Sequence, residues 1–502
     1  MDLKTPCTVD LSKAIKITNV RLSDLLAQHA DQLNELDAED PAPAASPAYS
    51  SEPAPPSDSA PETLKRPRPS SSQSLVPDTD DANENSSIVR KKKRPLKHKA
   101  NRNAMRAQVQ AVDGHTLKGS ALRRVLDTAS LPTGISLETH TIPVASTGWI
   151  GLQDSHIANA AAHAAESAAQ TSESILQAFE IPPRRFLDRE EALAEQGMRL
   201  ITAEMQGPTT AIIDADNRVI IILNCGPTGA TDWEHATNEA STAMDEAAKL
   251  LYGPEYDKEP LELDDDSPRR GPHYAVHLGT GMGGGQQRPT PFDLHHSVRR
   301  ILTALFLHDA IARFVGLANV LFQLYAPKLY KSYLDTMEAL QEWDGNLIFL
   351  APLLSCVFAC VTFNFGPQTV TLPHLDFLNL AWGWCFITAL GWYDYKKGGH
   401  LIIWDLCLVI EFPPGATFAI PSAVLRHSNV SIQKGEKRFS ITQYTSAGLF
   451  RFVNNGCKTD KAVKATMSKA EKREFAAAAQ NRYSEGIQMH STLEDLQKRA
   501  FM

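Results

Sequence analysis

Short apolar runs separated by turn residues dominate residues 398–420 and indicate that this region forms β-sheet. The runs at 401–404, 408–412 and 417–420 each have the length and the residue types of a strand. A Gly-Gly pair at 398–399 and a Pro-Pro-Gly sequence at 413–415 supply turns between them. A barrel-like double sheet built from such strands can bring side chains that are far apart in sequence to a common interior.

A histidine, an aspartate and a second histidine flank these runs with a spacing that suits one metal ion. His374 and Asp376 are two residues apart, so on a strand both side chains point to one face. His427 follows 53 residues after His374, which is enough chain for several strands to return a third ligand. Two imidazoles and one carboxylate form the ligand set that holds Fe(II) and leaves open positions on the metal. The sequence therefore predicts a catalytic Fe(II) site at these three residues.

An arginine beyond the second histidine predicts a site for an organic acid. Arg438 follows His427 by 11 residues, about one turn and one strand onward. A guanidinium can clamp a carboxylate through two parallel hydrogen bonds, and Ser440 on the same strand face can donate a third. This layout is typical of 2-oxoglutarate binding in Fe(II) dioxygenases, with dioxygen as the other cosubstrate. Asn379 and Thr388 are expected as further contacts to the cosubstrate or to the metal ligands.

Motifs spread over about residues 185–456 resemble the fungal members of the ten-eleven-translocation and base-J-binding-protein (TET/JBP) oxygenases. The motifs lie at 373–379, 391–394, 397–401, 420–430 and 438–444, and upstream at 212–214, 218–220 and 283–286. The resemblance implies an α+β fold with a double-stranded β-helix (jelly-roll, cupin-like) core and supporting helices. It also implies Fe(II), 2-oxoglutarate, and oxidation of a modified base such as 5-methylcytosine in nucleic acid, with DNA favoured.

Two other functions stay open on the sequence alone. One is the same chemistry on a protein side chain or a small molecule; the other is a non-catalytic cupin-like binding module, against which the intact ligand set and Arg438 argue. A methylated base in duplex DNA would have to flip out of the stack to reach iron inside a barrel. Four aromatic residues are candidates for stacking on it, although at least two are expected in the core: Trp382, Trp384, Trp392 and Tyr393.

Aromatic residues are nearly absent from the first third of the chain. Of the 37 Phe, Trp and Tyr residues, only Tyr49 and Trp149 lie within the first 170 positions. Such a segment, rich in Pro, Ser, Ala and charge, cannot bury enough apolar surface to fold alone. We therefore expect residues 1–180 to be mostly disordered, with a short helix at 20–37 that is either a partner-binding helix or a transient one.

Folded structure is predicted from residue 185 onward. Residues 185–260 form a small α/β accessory region, in which we expect a helix at 188–203, a hairpin with strands at 210–213 and 219–223, and a helix at 236–252. Residues 261–456 form the dioxygenase core, with long helices over 297–343. Residues 457–502 form a helical tail that contains a capping box from Ser468 to Glu471.

Positive charge is concentrated in the N-terminal region, although the formal net charge of the chain is -8. Residues 86–124 contain twelve Lys or Arg and a single acid, Asp113, and the centre of the run is 90–94. Such a run serves as a nuclear import signal, a phosphate-binding arm or a solvated tail. Its place in an extended segment favours the import signal, so we expect a nuclear protein.

The cysteine pattern argues against a disulfide-bonded protein, and the hydropathy argues against a membrane-spanning one. Seven cysteines without a pairing pattern indicate reduced thiols. The uncharged stretch at 347–363 is short for a membrane span and contains Pro352, so a buried core segment is the favoured interpretation. We therefore expect no membrane partner, and the sequence does not determine the oligomeric state.

Overall fold

The computed structural model describes most of the chain from residue 185 onward, together with short segments before it. The described residues are 129–130, 137–142, 144–153, 185–195, 197–226, 231–257, 271–350 and 356–501. The helix predicted at 20–37 and the basic run at 90–94 lie outside these residues. All structural statements below refer to the described ranges.

The strands form two sheets. In chain order they are β1 (Ala129–Ser130), β2 (Arg199–Ile201), β3 (Thr209–Ile213), β4 (Val219–Asn224), β5 (His273–Gly281), β6 (Thr290–Pro291), β7 (Cys360–Pro367), β8 (Cys385–Trp392), β9 (Leu401–Ile403), β10 (Leu408–Ile410), β11 (Thr417–Ile420), β12 (His427–Asn429) and β13 (Lys437–Tyr444). The larger sheet has nine strands in the order β1-β3-β4-β11-β8-β13-β7-β5-β6. The smaller sheet has four strands in the order β12-β9-β10-β2.

Helices cover one face of the larger sheet and complete the C-terminal part. They are α1 (Arg189–Ala194), α2 (Ala203–Gln206), α3 (Thr231–Tyr252), α4 (His296–Phe306), α5 (Asp309–Tyr325), α6 (Pro327–Trp343), α7 (Ala447–Asn454), α8 (Asp460–Thr466), α9 (Lys469–Ile487) and α10 (Leu493–Phe501). Helix α3 contacts β7 and β8, and α5 contacts β11. One hydrophobic cluster contains residues of both sheets and of these helices, so the two sheets and the helical layer share a core.

Strand β13 lies between β7 and β8 and separates a polar face from an apolar one. Its alternate residues Phe439 and Ile441 belong to the hydrophobic cluster that includes Phe322 of α5. Because neighbouring residues of a strand point to opposite faces, Arg438 and Ser440 face away from these helices. The polar face of the larger sheet is therefore the place where the predicted cosubstrate residues lie.

Most of the predicted elements are confirmed. Strands β9, β10 and β11 occupy the three predicted apolar runs, and β3 and β4 form the predicted hairpin. The helix predicted at 236–252 is α3, which begins earlier. The capping box from Ser468 to Glu471 opens α9 as expected.

The helix predicted at 188–203 is wrong in its second half. Helix α1 ends at Ala194, and Gly197 follows with a φ of 77°, a conformation that ends a right-handed helix. The next residues form β2, which pairs in parallel with β10. A strand partner about 200 residues away in sequence thus overrides the local helical pattern.

Segments that were expected to be separate are joined to the core. Strands β3 and β4 of the predicted accessory region extend the larger sheet through β11. Residues 137–153, which lie in the range predicted to be mostly disordered, make fixed contacts where they are described. Thr139 donates a hydrogen bond to Asp214 at 2.5 Å and accepts one from Tyr483 at 3.0 Å.

No single helix in the described ranges is both long enough and apolar enough to cross a membrane. Helices α4 and α5 are long and apolar enough only when taken together, and the chain bends by 70° between them.

Candidate metal and cosubstrate site

The three predicted metal ligands converge at one place in the fold. One carboxylate oxygen of Asp376 lies 3.8 Å from Nε2 of His374, and the other lies 3.9 Å from Nε2 of His427. Donor atoms of the three side chains all lie within 4.8 Å of one another. These separations are longer than hydrogen bonds and suit donors arranged around a single ion. Across the part of the chain that the structure describes, no other three His, Cys, Asp or Glu residues have this geometry.

Backbone pairing places the two imidazoles side by side. His374 and His427 form an isolated antiparallel bridge in which each N–H donates to the other's carbonyl, at 3.1 and 3.0 Å. Their ring centroids are 4.3 Å apart. The expectation that His374 and Asp376 share a regular strand is wrong, because the N–H of Asp376 donates instead to the carbonyl of Ser422 at 2.9 Å. The bridge and this loop contact together direct all three side chains to one centre.

Hydrogen bonds fix which nitrogen of each histidine faces the Asp376 carboxylate. Nδ1 of His374 lies 2.8 Å from the carbonyl of Leu372, and Nδ1 of His427 lies 2.9 Å from the carbonyl of Leu425. A carbonyl oxygen only accepts, so each Nδ1 carries the proton and donates. The lone pair of each Nε2 is then available for a metal, which is the usual way in which proteins orient a histidine ligand.

Arg438 is a buried cation whose hydrogen bonds are incomplete. Its side chain is 1 % exposed, and Nη1 donates to the carbonyl of Thr369 at 2.7 Å. Nε and Nη2 are buried and have no hydrogen-bond partner among the described residues. The rings of Phe412 and Tyr393 flank the guanidinium, with centroids at 5.6 and 5.9 Å. Such an arrangement excludes water and leaves two donors for an anionic ligand.

Ser440 lies on the same face of β13 as Arg438 and is also buried. Its Oγ accepts a hydrogen bond from Nδ2 of Asn364 at 3.0 Å. Because a hydroxyl both accepts and donates, the Ser440 hydrogen can point to a ligand. The predicted cosubstrate pair therefore shares one strand face, and Asn364 on β7 orients the serine.

Three residues that were not predicted extend this polar face. The hydroxyl of Tyr444 lies 3.0 Å from Nδ1 of His277, and the same nitrogen lies 2.7 Å from Oγ1 of Thr362. Burial raises the pKa of Tyr444 well above its ordinary value, and the negative charge of Asp376 acts in the same direction. Strand alternation from Arg438 could have identified Tyr444, whereas His277 has no spacing signal.

The two weaker sequence candidates occupy different positions. Asn379 donates from its backbone to the carbonyl of Asp376 at 2.8 Å and from its side chain to Oγ of Ser422 at 3.3 Å, so it supports the turn that holds Asp376. Thr388 pairs with Ile441 on the helix-covered face of the sheet, and its hydroxyl bonds to that of Thr417 at 2.9 Å. The structure thus places Thr388 on the face opposite Arg438, which corrects the expectation of a cosubstrate contact.

The four aromatic candidates for base stacking are distributed differently. Trp382 and Trp384 are buried in the core, as expected for at least two of them. Tyr393 donates to the carbonyl of Phe412 at 2.5 Å; burial raises its pKa to about 12, while the adjacent Arg438 acts in the opposite direction. Trp392 is 42 % exposed and lies on the helix-covered face of β8.

Comparisons of the whole chain give matches to solved structures alone. No family model and no curated protein matches, whereas 31 solved chains match in structure. NgTET1 in complex with 5mC DNA has 13 % identity and a TM-score of 0.29, over 50 % of this chain and 84 % of that chain. An oxidoreductase of the 2OG-Fe(II) oxygenase family from Burkholderia pseudomallei has 18 % identity and a TM-score of 0.23, over 45 % and 93 %.

A third similar structure is the viral collagen prolyl hydroxylase vCPH from Paramecium Bursaria Chlorella virus-1, in its 2OG complex. It has 15 % identity and a TM-score of 0.15, over 17 % of this chain and 57 % of that chain. Since all three TM-scores lie below 0.5, we infer the function from the site's own geometry.

Proposed function

We propose that this protein is an Fe(II)- and 2-oxoglutarate-dependent dioxygenase. The observation that carries the proposal is the Arg438 guanidinium, which is 1 % exposed and has two buried nitrogens without a hydrogen-bond partner in the described part of the chain. Leaving a buried donor unsatisfied costs about 1–3 kcal/mol, and more for a charged group. A ligand carboxylate would satisfy both nitrogens at once in a bidentate pair.

The residues of the site fall into two groups, one that would bind the metal and one that would bind the cosubstrate. His374, Asp376 and His427 would hold Fe(II), and Arg438 with Ser440 would hold the far carboxylate of 2-oxoglutarate. When bound, the metal and 2-oxoglutarate supply the oxidative chemistry by which dioxygen is used on a substrate C–H bond. We propose that the two sheets form a double-stranded β-helix around these ligands.

The protein's own contribution is orientation and exclusion of water. The carbonyls of Leu372 and Leu425 hold the histidines in the ligating tautomer. Phe412 and Tyr393 flank the arginine, so a carboxylate bound there would meet a desolvated cation. A non-catalytic cupin-like module would not need histidines held in the metal-binding tautomer together with a buried arginine, so these two features favour the enzyme.

We further propose a modified base in nucleic acid, such as 5-methylcytosine in DNA, as the substrate. The proposal is supported by the TET/JBP-like motifs and by the basic run at 86–124, which suits phosphate contacts. It includes a nuclear location, for which the run at 90–94 is the proposed signal. The same chemistry on a protein side chain or a small molecule is the alternative.

The test compares matched oligonucleotide duplexes. Full-length protein with Fe(II), 2-oxoglutarate and dioxygen is incubated with a duplex that contains 5-methylcytosine or with the same duplex that contains cytosine. We expect the methylated duplex to stimulate succinate formation and its modified base to gain one oxygen by mass spectrometry. Succinate formation without any effect of 5-methylcytosine would refute the substrate, and absence of 2-oxoglutarate binding would refute the dioxygenase.

A further inference from the structure

The loop that follows the carboxylate ligand is held by segments from outside the sheets. In this loop, residues 377–382, the carbonyl of Phe377 accepts a hydrogen bond from the N–H of Gly151 at 2.8 Å. The N–H of Ala381 donates to the carbonyl of Trp149 at 2.9 Å. The loop is therefore held at Phe377 and at Ala381 by a short N-terminal segment, residues 147–151.

Gly151 lies where no side chain fits. A Cβ at this position would lie 2.0 Å from the carbonyl oxygen of Ala423 and 3.4 Å from Cα of Phe377. Ala423 is adjacent to Ser422, whose carbonyl accepts from the N–H of Asp376. Gly151 is thus packed between the two backbone segments that determine the position of the carboxylate ligand.

The C-terminal part of the chain contacts the same loop from another side. A Cβ on Gly486, near the end of α9, would lie 2.2 Å from the Trp382 ring, so the helix backbone packs directly on the indole. Nε2 of His490 lies 2.7 Å from the Trp382 carbonyl, and Nδ1 lies 3.0 Å from the Val219 carbonyl. His490 therefore packs between the loop and β4, and its ring N–H donates to one of these two carbonyls.

The N-terminal and C-terminal segments also contact each other. The guanidinium of Arg482 on α9 lies over the Trp149 ring at 4.7 Å and donates to the carbonyl of Thr147. Trp149 in turn packs against Trp382 with ring centroids 5.3 Å apart. A continuous chain of contacts thus runs from α9 through Trp149 to the loop after Asp376.

From these contacts we infer that residues 147–151 and the α9–His490 segment form a brace that positions Asp376 for metal binding. The inference rests on the proposed function, because it assigns the brace to the Fe(II) site. Trp149, Gly151 and Arg482 are positioning residues, because the contacts given above join them to the loop after Asp376, to Ala423 and to Thr147 rather than to the proposed ligands. Loss of groups that orient a metal ligand typically weakens metal binding by about 10–100-fold.

The experiment uses full-length variants that disturb the brace at different points. Gly151→Ala places a methyl group against Ala423, Arg482→Ala removes the cation over Trp149, and Trp149→Ala removes the ring. Gly316→Ala is the matched control for glycine, because a Cβ there meets nothing within 4 Å. Arg473→Ala, at an exposed position of the same helix, is the control for arginine. Trp149→Phe is the conservative variant.

Fe(II) affinity is measured without dioxygen, and the visible spectrum of bound Co(II) reports the ligand geometry. We expect the three brace variants to lose about ten-fold or more in Fe(II) affinity and to shift the Co(II) spectrum, as for other losses of orienting groups. The controls and Trp149→Phe should stay within about two-fold. At saturating Fe(II), the variants should bind 2-oxoglutarate like the parent, because Arg438 is untouched.

Thermal unfolding separates positioning from general stability. A folded Arg482→Ala protein with unchanged Fe(II) affinity and an unchanged Co(II) spectrum would overturn the inference, even if its melting temperature fell. Arg482 makes its contacts at the outer end of the brace, so this variant decides the matter where Trp149→Ala or Gly151→Ala does not fold. A parent protein that binds no Fe(II) would instead refute the proposed function.

Discussion

Replacement of Arg438 by lysine tests the proposed cosubstrate site most directly. Lysine keeps the positive charge but replaces a planar fork by a point charge, so bidentate binding is lost. In the present structure Arg438 already uses Nη1 on the Thr369 carbonyl, and Nε and Nη2 are the two donors left for a ligand. The substitution therefore removes at least one charge-assisted hydrogen bond to the carboxylate.

The expected effect follows from the strength of that bond. A hydrogen bond to a charged partner contributes about 1.5–3 kcal/mol, and every 1.4 kcal/mol corresponds to about ten-fold in affinity. Arg438→Lys should thus weaken 2-oxoglutarate binding by about 10–100-fold. Fe(II) affinity should change little, because the three proposed metal ligands belong to other segments.

Calorimetric titration with 2-oxoglutarate at saturating Fe(II), without dioxygen, measures the effect. The control is Arg473→Lys, which makes the same chemical change at an exposed position. Arg438→Met adds a second readout, because it removes a buried, incompletely paired cation. Replacing even a complete buried ion pair by hydrophobic residues is often neutral or stabilising by about 1–4 kcal/mol. We expect Arg438→Met to abolish 2-oxoglutarate binding without lowering the melting temperature of the ligand-free protein. Equal 2-oxoglutarate affinity in the lysine variant and the parent would refute the assignment of Arg438.

Three further predictions concern the metal, acid stability and the basic run. Replacing both His374 and Asp376 by alanine should abolish Fe(II) binding and turnover but preserve the circular dichroism spectrum; undiminished 2-oxoglutarate consumption would contradict the metal site. Burial lowers the pKa of His400 to about 4 from 6.5, so the unfolded state binds the proton more readily and stability should fall, by at most about 3 kcal/mol, as pH decreases from 6.5 to 4. His400→Leu should remove that part of the pH dependence in denaturant titrations, and an unchanged pH profile would count against it. Neutralising residues 90–94 should release the protein from the nucleus if they are an import signal. If they bind DNA, the affinity for DNA should weaken, and the slope of log K against log salt concentration should become shallower by about one unit per lost phosphate contact.

The sequence identified the parts of the site whose spacing follows a strand. Arg438 and Ser440 are two residues apart and share a face of β13, as period-two alternation requires. His374 and Asp376 were paired on the assumption of a shared strand, which the structure does not contain. The three side chains converge instead through the bridge between His374 and His427 and the contact of Asp376 with Ser422. The same alternation rule would have added Tyr444, because it lies an even number of residues after Arg438 on β13 and its side chain points to the same face.

Other parts of the fold depend on contacts between distant segments, which local patterns do not encode. Strand β2 has three residues, and its pairing with β10 is set by tertiary contact rather than by its own sequence. His277 belongs to the polar face because its ring contacts Thr362 on a neighbouring strand, 85 residues away in sequence. Thr388 was misplaced because the expectation gave it a role without assigning the face of β8 on which it lies.

The loop after Asp376 shows why a segment poor in aromatic residues still acquires structure. A chain around one tryptophan has too little apolar surface to fold by itself, but Trp149 packs against Trp382 and beneath Arg482. The loop in turn has buried backbone groups that need partners, and Gly151 and Trp149 supply them. Each segment thus satisfies a requirement of the other, so the loop after Asp376 and residues 147–151 are ordered together. A boundary at residue 185, drawn from composition, would divide one structural unit.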